Sequence, residues 1–282
     1  MDLCDLATIK KVMSRHGFTF SKALGQNFLI NPDVCPEMAH SLGANEKTGV
    51  LEIGAGVGVL TKELAKVAGR VVSVELDKRL FPVLEETLDG FDNIELVNDD
   101  IMKLDICAFL EEKFDGCDSI MVCANLPYYI TSPIVMLLLE SGAPIDKIVV
   151  MVQKEAGERL CAGVGSRLAG AVTVAVNYYA DSEILFDVGR ESFMPSPKVD
   201  SVVISLTPRK EKKYNVSDER HFFTVVKCAF AQRRKTALNS ISNTLGVKKE
   251  MVADVFDKLA IDKNIRAEKL TMEELISIAE QL

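Results

Sequence analysis

Five short runs of apolar residues recur through the first half of the chain, at Gly49–Ile53, Arg70–Glu75, Ile94–Val97, Ser119–Ala124 and Lys147–Val152. Rich in Val, Ile and Leu and nearly continuous, they read as strands buried on both faces. Between them, Leu60–Val67, Arg79–Leu88 and Ile134–Leu139 carry apolar residues at helical spacing. Strands that alternate with helices predict βαβ units and a mostly parallel, Rossmann-like α/β sheet covered on both sides. Two later runs, Glu183–Val188 and Ser201–Leu206, have no obvious helix between them and predict an antiparallel pair at one edge.

The pattern changes after Leu206. Thr207, Pro208 and the charged string Arg209–Lys213 read as a linker, and Glu219–Phe230, Lys235–Leu245, Lys249–Leu259 and Met272–Leu282 then show helical periodicity with no strand signal. Ser217 and Thr271 stand where N-caps are expected, and Gly246 where a helix should stop. The division predicted is a larger α/β domain over residues 1–208 and a small all-helical domain over 209–282. A length of 282 residues suits one sizeable core and one appended unit.

Composition narrows the setting. Apolar residues make up 48% of the chain, yet no run reaches the roughly 18 residues that would cross a bilayer. Met1–Lys11 carries Asp2, Asp5, Lys10 and Lys11 and does not read as a signal peptide, so a soluble cytoplasmic protein without a membrane partner is expected. The seven cysteines are scattered and never at CxxC spacing, and the three histidines form no HExxH pattern. Neither a disulfide framework nor a metal site is therefore expected.

Charge is segregated along the chain. The net charge of −8 divides into −12 for residues 1–208 and +4 for 209–282, and within 209–235 nine Lys/Arg stand against three Asp/Glu. Phosphate contacts depend on such a local basic surface rather than on total charge. A solvated lysine-rich helix face is the alternative that charge alone leaves open.

Candidate chemistry clusters at the ends of the predicted strands. Leu51-Glu52-Ile53-Gly54-Ala55-Gly56-Val57-Gly58 leaves a strand for a helix, and its glycines let the backbone turn tightly against a ligand. Taken alone, the motif fits a dinucleotide-binding dehydrogenase equally well. Glu75, at the end of the neighbouring strand, can accept both hydroxyls of a ribose. Asp99-Asp100 ends the third strand, where Asp100 can accept from an adenine amino group; a solvated turn or helix cap is the other reading, stronger for Asp99. The fourth strand leads into Asn125-Leu126-Pro127-Tyr128. Methylating an adenine N6 requires its lone pair, which is delocalised into the ring. The Asn125 amide oxygen and the Leu126 carbonyl can each accept one N–H, aiming the nitrogen at a methyl donor. Pro127 constrains that carbonyl, and Tyr128 offers a face for an extruded base.

At these residues the chain resembles the ribosomal RNA adenine dimethyltransferases, specifically the small-subunit enzymes. The likeness spans nearly the whole length, from Leu24-Gly25-Gln26-Asn27-Phe28-Leu29 through Met151-Val152-Gln153-Lys154-Glu155 and Phe193-Met194-Pro195-Ser196-Pro197-Lys198-Val199-Asp200-Ser201 to Phe230-Ala231-Gln232-Arg233-Arg234-Lys235-Thr236. Asn-Leu-Pro-Tyr occurs in other amino-methylating enzymes, whereas the combination is specific. The resemblance implies a class I methyltransferase fold that uses S-adenosylmethionine, releases S-adenosylhomocysteine and needs no metal. It implies a monomer that dimethylates two adjacent adenosines in the 3′-terminal hairpin loop of small-subunit RNA, within an immature 30S-type particle. Carried over by motif, Asn27, Leu29, Gly54, Glu75, Asp100 and Asn125 contact the cofactor. Asn125, Leu126, Pro127 and Tyr128 hold the target adenine and Phe193 closes it from the opposite face. Gln232, Arg233, Arg234 and Lys235 meet RNA phosphates. Read without the family, Phe193 serves base stacking or core packing, and Arg233–Lys235 can instead cap or solvate a helix.

Two positions depart from the family pattern. Asp99 stands where glycine is usual before the adenine-contacting aspartate, and Ala169 where tyrosine is common before Gly170. Three rival readings remain: a large-subunit adenine methyltransferase of the macrolide-resistance type, a non-catalytic ribosome-assembly or RNA-binding factor on the same fold, and the dehydrogenase. The Ser196–Ser201 block favours the small-subunit enzyme over the first, and an intact Asn-Leu-Pro-Tyr block speaks against the second.

Overall fold

In the computed structural model, which describes residues 1–17 and 28–282, the apolar runs become the middle of a seven-stranded sheet. The strands β2 (Thr48–Ile53), β3 (Arg70–Val74), β4 (Ile94–Val97), β5 (Ser119–Asn125), β6 (Lys147–Gln153), β7 (Ala180–Val188) and β9 (Ser201–Pro208) lie in the order β4-β3-β2-β5-β6-β9-β7. The first five in that order are parallel. β9 runs antiparallel to β6, with Val150 opposite Ile204, and β7 forms the edge beyond it. Every residue of β2 is buried, as expected of a strand with neighbours on both sides and helices on both faces. A separate ribbon pairs β1 (Phe28–Leu29) with β8 (Phe193–Met194), placing Leu29 opposite Phe193.

The strand order creates the place for a site. The chain passes from β2 outward to β3 and β4, then returns to β5 on the other side of β2. At such a reversal the connections after neighbouring strands leave in opposite directions, and a crevice opens beyond their carboxyl ends. Gly54 and Asn125 stand at the two ends concerned.

The helices α1 (Leu6–Arg15), α2 (Val34–Leu42), α3 (Val59–Val67), α4 (Phe81–Thr87), α5 (Ile106–Lys113) and α6 (Thr131–Glu140) accompany these strands. α2, α3 and the sheet share one apolar cluster that includes Met38, Leu42, Leu64, Val71, Cys123 and Met151. α1 buries Ile9, Val12 and Met13 in another, against Ala55 and Val57 of the glycine turn and Val83 and Leu84 of α4. The helix expected over Arg79–Leu88 divides into a 3₁₀ turn, Lys78–Leu80, and α4. Pro82 has no N–H to donate and belongs in a first helical turn, which sets the start of α4 at Phe81.

The described residues form two units: Met1–Gly157 with Glu183–Pro208, and Glu158–Ser182 with Arg209–Leu282. The break after Pro208 stands where the linker was read, but Glu158–Ser182, expected in the larger domain, groups with the C-terminal helices. The reason lies in α8 (Ala171–Tyr179), which follows α7 (Lys154–Leu160) and packs on α9 (Glu219–Phe230). The Tyr178 ring stands 5.6 Å from Phe222 and 5.2 Å from Phe223, and its hydroxyl donates to Glu219 at 3.0 Å. α9 also packs on α10 (Ala237–Leu245) and α12 (Met272–Gln281), and α11 (Lys249–Lys258) on α10.

Caps largely follow the expectation, with two corrections. Thr271 and Glu274 make a reciprocal capping box, and α10 stops at Gly246 with φ of 76°. Asp218, not Ser217, caps α9, accepting from the His221 N–H at 2.9 Å. Ser217 instead donates through its N–H and hydroxyl to Glu280. Asp and Ser cap equally well, so burial of Phe222, Val225 and Val226 decides the register by one residue. α10 begins at Ala237 with Thr236 as its cap, leaving Lys235 outside the helix in which it was expected. Among the described residues no helix is long and apolar enough to cross a membrane.

Candidate active site

One cavity lies beyond the carboxyl ends of β2 to β5. Leu29, Gly54, Glu75, Asp100, Asn125, Leu126, Pro127, Tyr128 and Phe193, nine positions singled out from the sequence, all line it. Asn27, the remaining cofactor candidate, lies outside the described residues.

The glycine turn after β2 uses the left-handed region three times, with φ of 82° at Gly54, 58° at Gly56 and 89° at Gly58. Only glycine adopts these angles without strain. Their surroundings differ. A Cβ on Gly54 would meet no heavy atom within 4 Å, whereas one on Gly58 would come within 2.9 Å of Leu88 Cδ2. Gly54 therefore opens the turn to the cavity, and Gly58 allows α4 to approach.

Glu75, expected to receive a ribose, also supports this turn. One carboxylate oxygen accepts from the Gly56 N–H at 3.1 Å and the other from the Asp77 N–H at 2.8 Å. Burial raises its pKa, and these backbone donors oppose the rise. A carboxylate has about four acceptor positions, so two remain for a diol. Asn98, not anticipated from sequence, fixes the same strand end by donating to the Glu75 carbonyl at 2.9 Å. Asp100 caps the 3₁₀ turn Ile101–Lys103 through the Met102 N–H at 3.1 Å. Asp99, where the family pattern has glycine, accepts from the Asp100 N–H at 2.7 Å.

The turn after β5 is closed by backbone bonds. The Leu126 N–H donates to the Met151 carbonyl at 3.1 Å, and the Pro127 carbonyl accepts from the Ile130 N–H at 3.1 Å. The Leu126 side chain is buried and anchors the turn. Among the described residues the Asn125 side chain makes no hydrogen bond and the Leu126 carbonyl accepts none. Two oxygens on the cavity lining are thus left to accept from a ligand.

Tyr128 is half-buried, and its hydroxyl lies 2.6 Å from Ser201 Oγ. Burial raises the phenol pKa, and the bond to Ser201 opposes the rise. Ser201, fully buried at the start of β9, is thus the residue that holds the Tyr128 ring, a role hidden within the Ser196–Ser201 block. Phe193 lines the cavity while only 3% exposed, because β8 ties it to Leu29 and to the apolar cluster. One ring is therefore both cavity wall and part of the apolar core.

A second residue missed from the sequence is Glu52, two positions before Gly54 and fully buried. One carboxylate oxygen accepts from Thr61 Oγ1 in α3 and from Ser73 Oγ in β3, each at 2.6 Å, and the other has no partner. Burial pushes its pKa up to about 7. The signal was a lone carboxylate inside an otherwise apolar strand.

Gln232, Arg233, Arg234 and Lys235 belong to the second unit, in the loop between α9 and α10. The Gln232 N–H is held by Ser240 Oγ at 3.1 Å and the Lys235 N–H by the Gln232 carbonyl at 2.9 Å. The three basic side chains are exposed and have no carboxylate partner among the described residues. Ala169, the other departure from the family pattern, is buried in this unit.

Residues 17–282 match the family described as ribosomal RNA adenine dimethylase. The ribosomal RNA small subunit methyltransferase A of Bacillus licheniformis is 43% identical over 99% of this chain and 97% of its own length. The protein of the same description from Geobacillus thermodenitrificans is 44% identical over the same shares. Among solved structures, a dimethyladenosine transferase from Plasmodium falciparum has a TM-score of 0.71 at 24% identity, covering 89% of this chain and 95% of that one. The 23S rRNA methyltransferase ErmE has a TM-score of 0.66 at 26% identity, covering 90% and 99%.

Proposed function

Because the chain belongs to the ribosomal RNA adenine dimethylase family, we propose that its cavity presents an extruded adenine to S-adenosylmethionine, with Asn125 and the Leu126 carbonyl gripping the amino group. The enzyme is an S-adenosylmethionine-dependent dimethyltransferase of small-subunit ribosomal RNA adenines. The observation that carries the site assignment is the pair of unpartnered oxygens beside a tyrosine ring fixed by Ser201.

The residues present fit the cofactor. Gly54 leaves open space over the turn, Glu75 keeps acceptor positions for a ribose diol, and Asp100 accepts from an adenine amine. Leu29 supplies apolar lining, and Asn27 completes the set by the family motif. When bound, S-adenosylmethionine supplies a methyl group already activated on a sulfonium. What the chain contributes is positioning and electrostatics. The Asn125 oxygen and the Leu126 carbonyl accept hydrogen bonds from the two N6–H groups and draw the nitrogen lone pair out of conjugation with the ring. Pro127 limits the motion of that carbonyl, and Tyr128 and Phe193 cover the faces of the base. The amino nitrogen gives up one proton to solvent water with each methyl it gains. After one transfer a single N–H remains for two acceptors, and after two none remains. Loss of these bonds weakens the grip on the finished product and favours its release.

The substrate is two adjacent adenosines in the 3′-terminal hairpin loop, within an immature 30S-type particle in the cytoplasm, and the enzyme acts on it as a monomer. Loop adenines cost least to extrude, a few kcal/mol. Gln232, Arg233, Arg234 and Lys235 contact phosphates. Incubating labelled S-adenosylmethionine with undermethylated small subunits, followed by nucleoside analysis, should yield N6,N6-dimethyladenosine. Absence of label from the small-subunit RNA, or label on a nucleoside other than adenosine, would refute the assignment.

Two further outcomes are expected. The Arg233→Ala, Arg234→Ala double variant should bind single-stranded RNAs of any sequence more weakly, with the slope of log affinity against log salt reduced by roughly 0.7 for each phosphate no longer neutralised. An unchanged slope in a salt titration would remove these residues from the phosphate interface. Gly54→Ala must hold a left-handed angle that costs about 1–2 kcal/mol. Relief of that strain displaces the turn, so calorimetry should show cofactor affinity falling roughly tenfold, and native affinity would mean that the turn is not the cofactor cradle.

A further inference from the structure

Tyr129 follows Tyr128 on the same turn and lines the same cavity, and none of the proposed roles employs it. At 64% it is the most exposed large hydrophobic residue among those described. Tyr128 is tied through its hydroxyl to Ser201, whereas the Tyr129 hydroxyl makes no hydrogen bond and its ring no ring contact among the described residues. The turn itself is closed by the bond from Ile130 to the Pro127 carbonyl, so the backbone under Tyr129 is held while its ring faces water.

Extrusion of a base has a consequence for its neighbour. The flanking base is left without a stacking partner on one face, which is part of the cost of unstacking. Recovery of that stacking requires a flat aromatic surface at the mouth of the slot, one residue from the side chain that receives the target. Consecutive Cα atoms lie about 3.8 Å apart, so a nucleotide seated against Tyr128 brings the next within reach of Tyr129. We propose that Tyr129 is a stacking platform for the base flanking the target adenosine, standing in for the neighbour that extrusion removes. This rests on the reading that the cavity takes an extruded adenine. Every base has a π face, so the platform is tolerant of sequence and acts on the affinity for RNA, not on the choice of the methylated base.

Steady-state kinetics with undermethylated small subunits, combined with calorimetric titration of S-adenosylmethionine, test the assignment. Tyr129→Ala should raise the KM for subunits roughly five- to a hundredfold and leave cofactor affinity unchanged. Tyr129→Phe should restore the native KM, and Tyr129→Leu, which keeps apolar bulk without a π face, should not. A native KM for Tyr129→Ala, or restoration by leucine as complete as by phenylalanine, overturns the platform. Failure of the wild-type enzyme to methylate adenine is a different result, and it overturns the function on which the platform rests.

Discussion

Asn125→Ala is expected to lower kcat on saturating small subunits by about two to three orders of magnitude, the usual consequence of removing one preorganised polar group from a reacting centre. Asn125 ends β5, where pairing with Met151 of β6 fixes its backbone and no described partner competes for its amide. Alanine leaves that backbone in place and deletes only the acceptor. The Leu126 carbonyl then holds one N–H, and the amine is free to rotate back into conjugation with the ring. Cofactor affinity should change by less than roughly tenfold, because Glu75, Asp100 and the glycine turn still bind. Asn125→Asp, which retains an acceptor oxygen, should recover part of the rate. Single-turnover measurements at saturating RNA and cofactor separate the two effects, and a near-native rate for Asn125→Ala would remove amine activation from the mechanism.

Glu52→Gln is expected to change how stability depends on pH. The carboxyl group has a folded pKa of about 7 against an ordinary value of 4.5, because burial penalises its charged form more than Thr61 and Ser73 stabilise it. A pKa raised on folding stabilises the native state fully below the unfolded value, and that contribution disappears as pH rises through the folded one. The wild type should therefore lose about 3 kcal/mol from this group between roughly pH 4.5 and pH 7. Glutamine cannot ionise, and its carbonyl can still accept from both hydroxyls. The variant should therefore gain on the wild type as the medium goes from about pH 5 to about pH 8. Glu86, whose pKa is lowered by His16 and Arg15, loses its contribution in the opposite direction, as pH falls. It is common to both proteins and cancels in the difference. Urea denaturation of both at the two pH values gives the result directly; an equal difference at each would show that Glu52 does not titrate near neutrality.

These residues also differ in how far they could be read in advance. Glu75, Asp100 and Asn125 were legible because each stands at the end of an apolar run or within three residues beyond it, and the end of a parallel strand is where a ligand crevice opens. Glu52 breaks a run from inside it. Its partners Thr61 and Ser73 come from two other elements, so nothing local marks it as held. Ser201 was legible only as part of a motif, since its bond with Tyr128 spans 73 residues of sequence. α8 was not anticipated: Ala171–Tyr179 is rich in Val and Tyr, residues that favour strands, yet it is helical. Tertiary packing against Phe222 and Phe223 outweighs that propensity, and with it carries Glu158–Ser182 into the second unit.

By itself the sequence determined the mostly parallel sheet, the helical C-terminal segment and which polar residues stand at the strand ends, because hydrophobic period and glycine placement act over a few residues. Only the tertiary structure decided which oxygens remain without partners, which ring is fixed and which is exposed, and that Phe193 is both cavity wall and core. Those properties belong to contacts between distant segments. Burial and hydrogen-bond satisfaction arise when the chain closes on itself, and no local pattern specifies them.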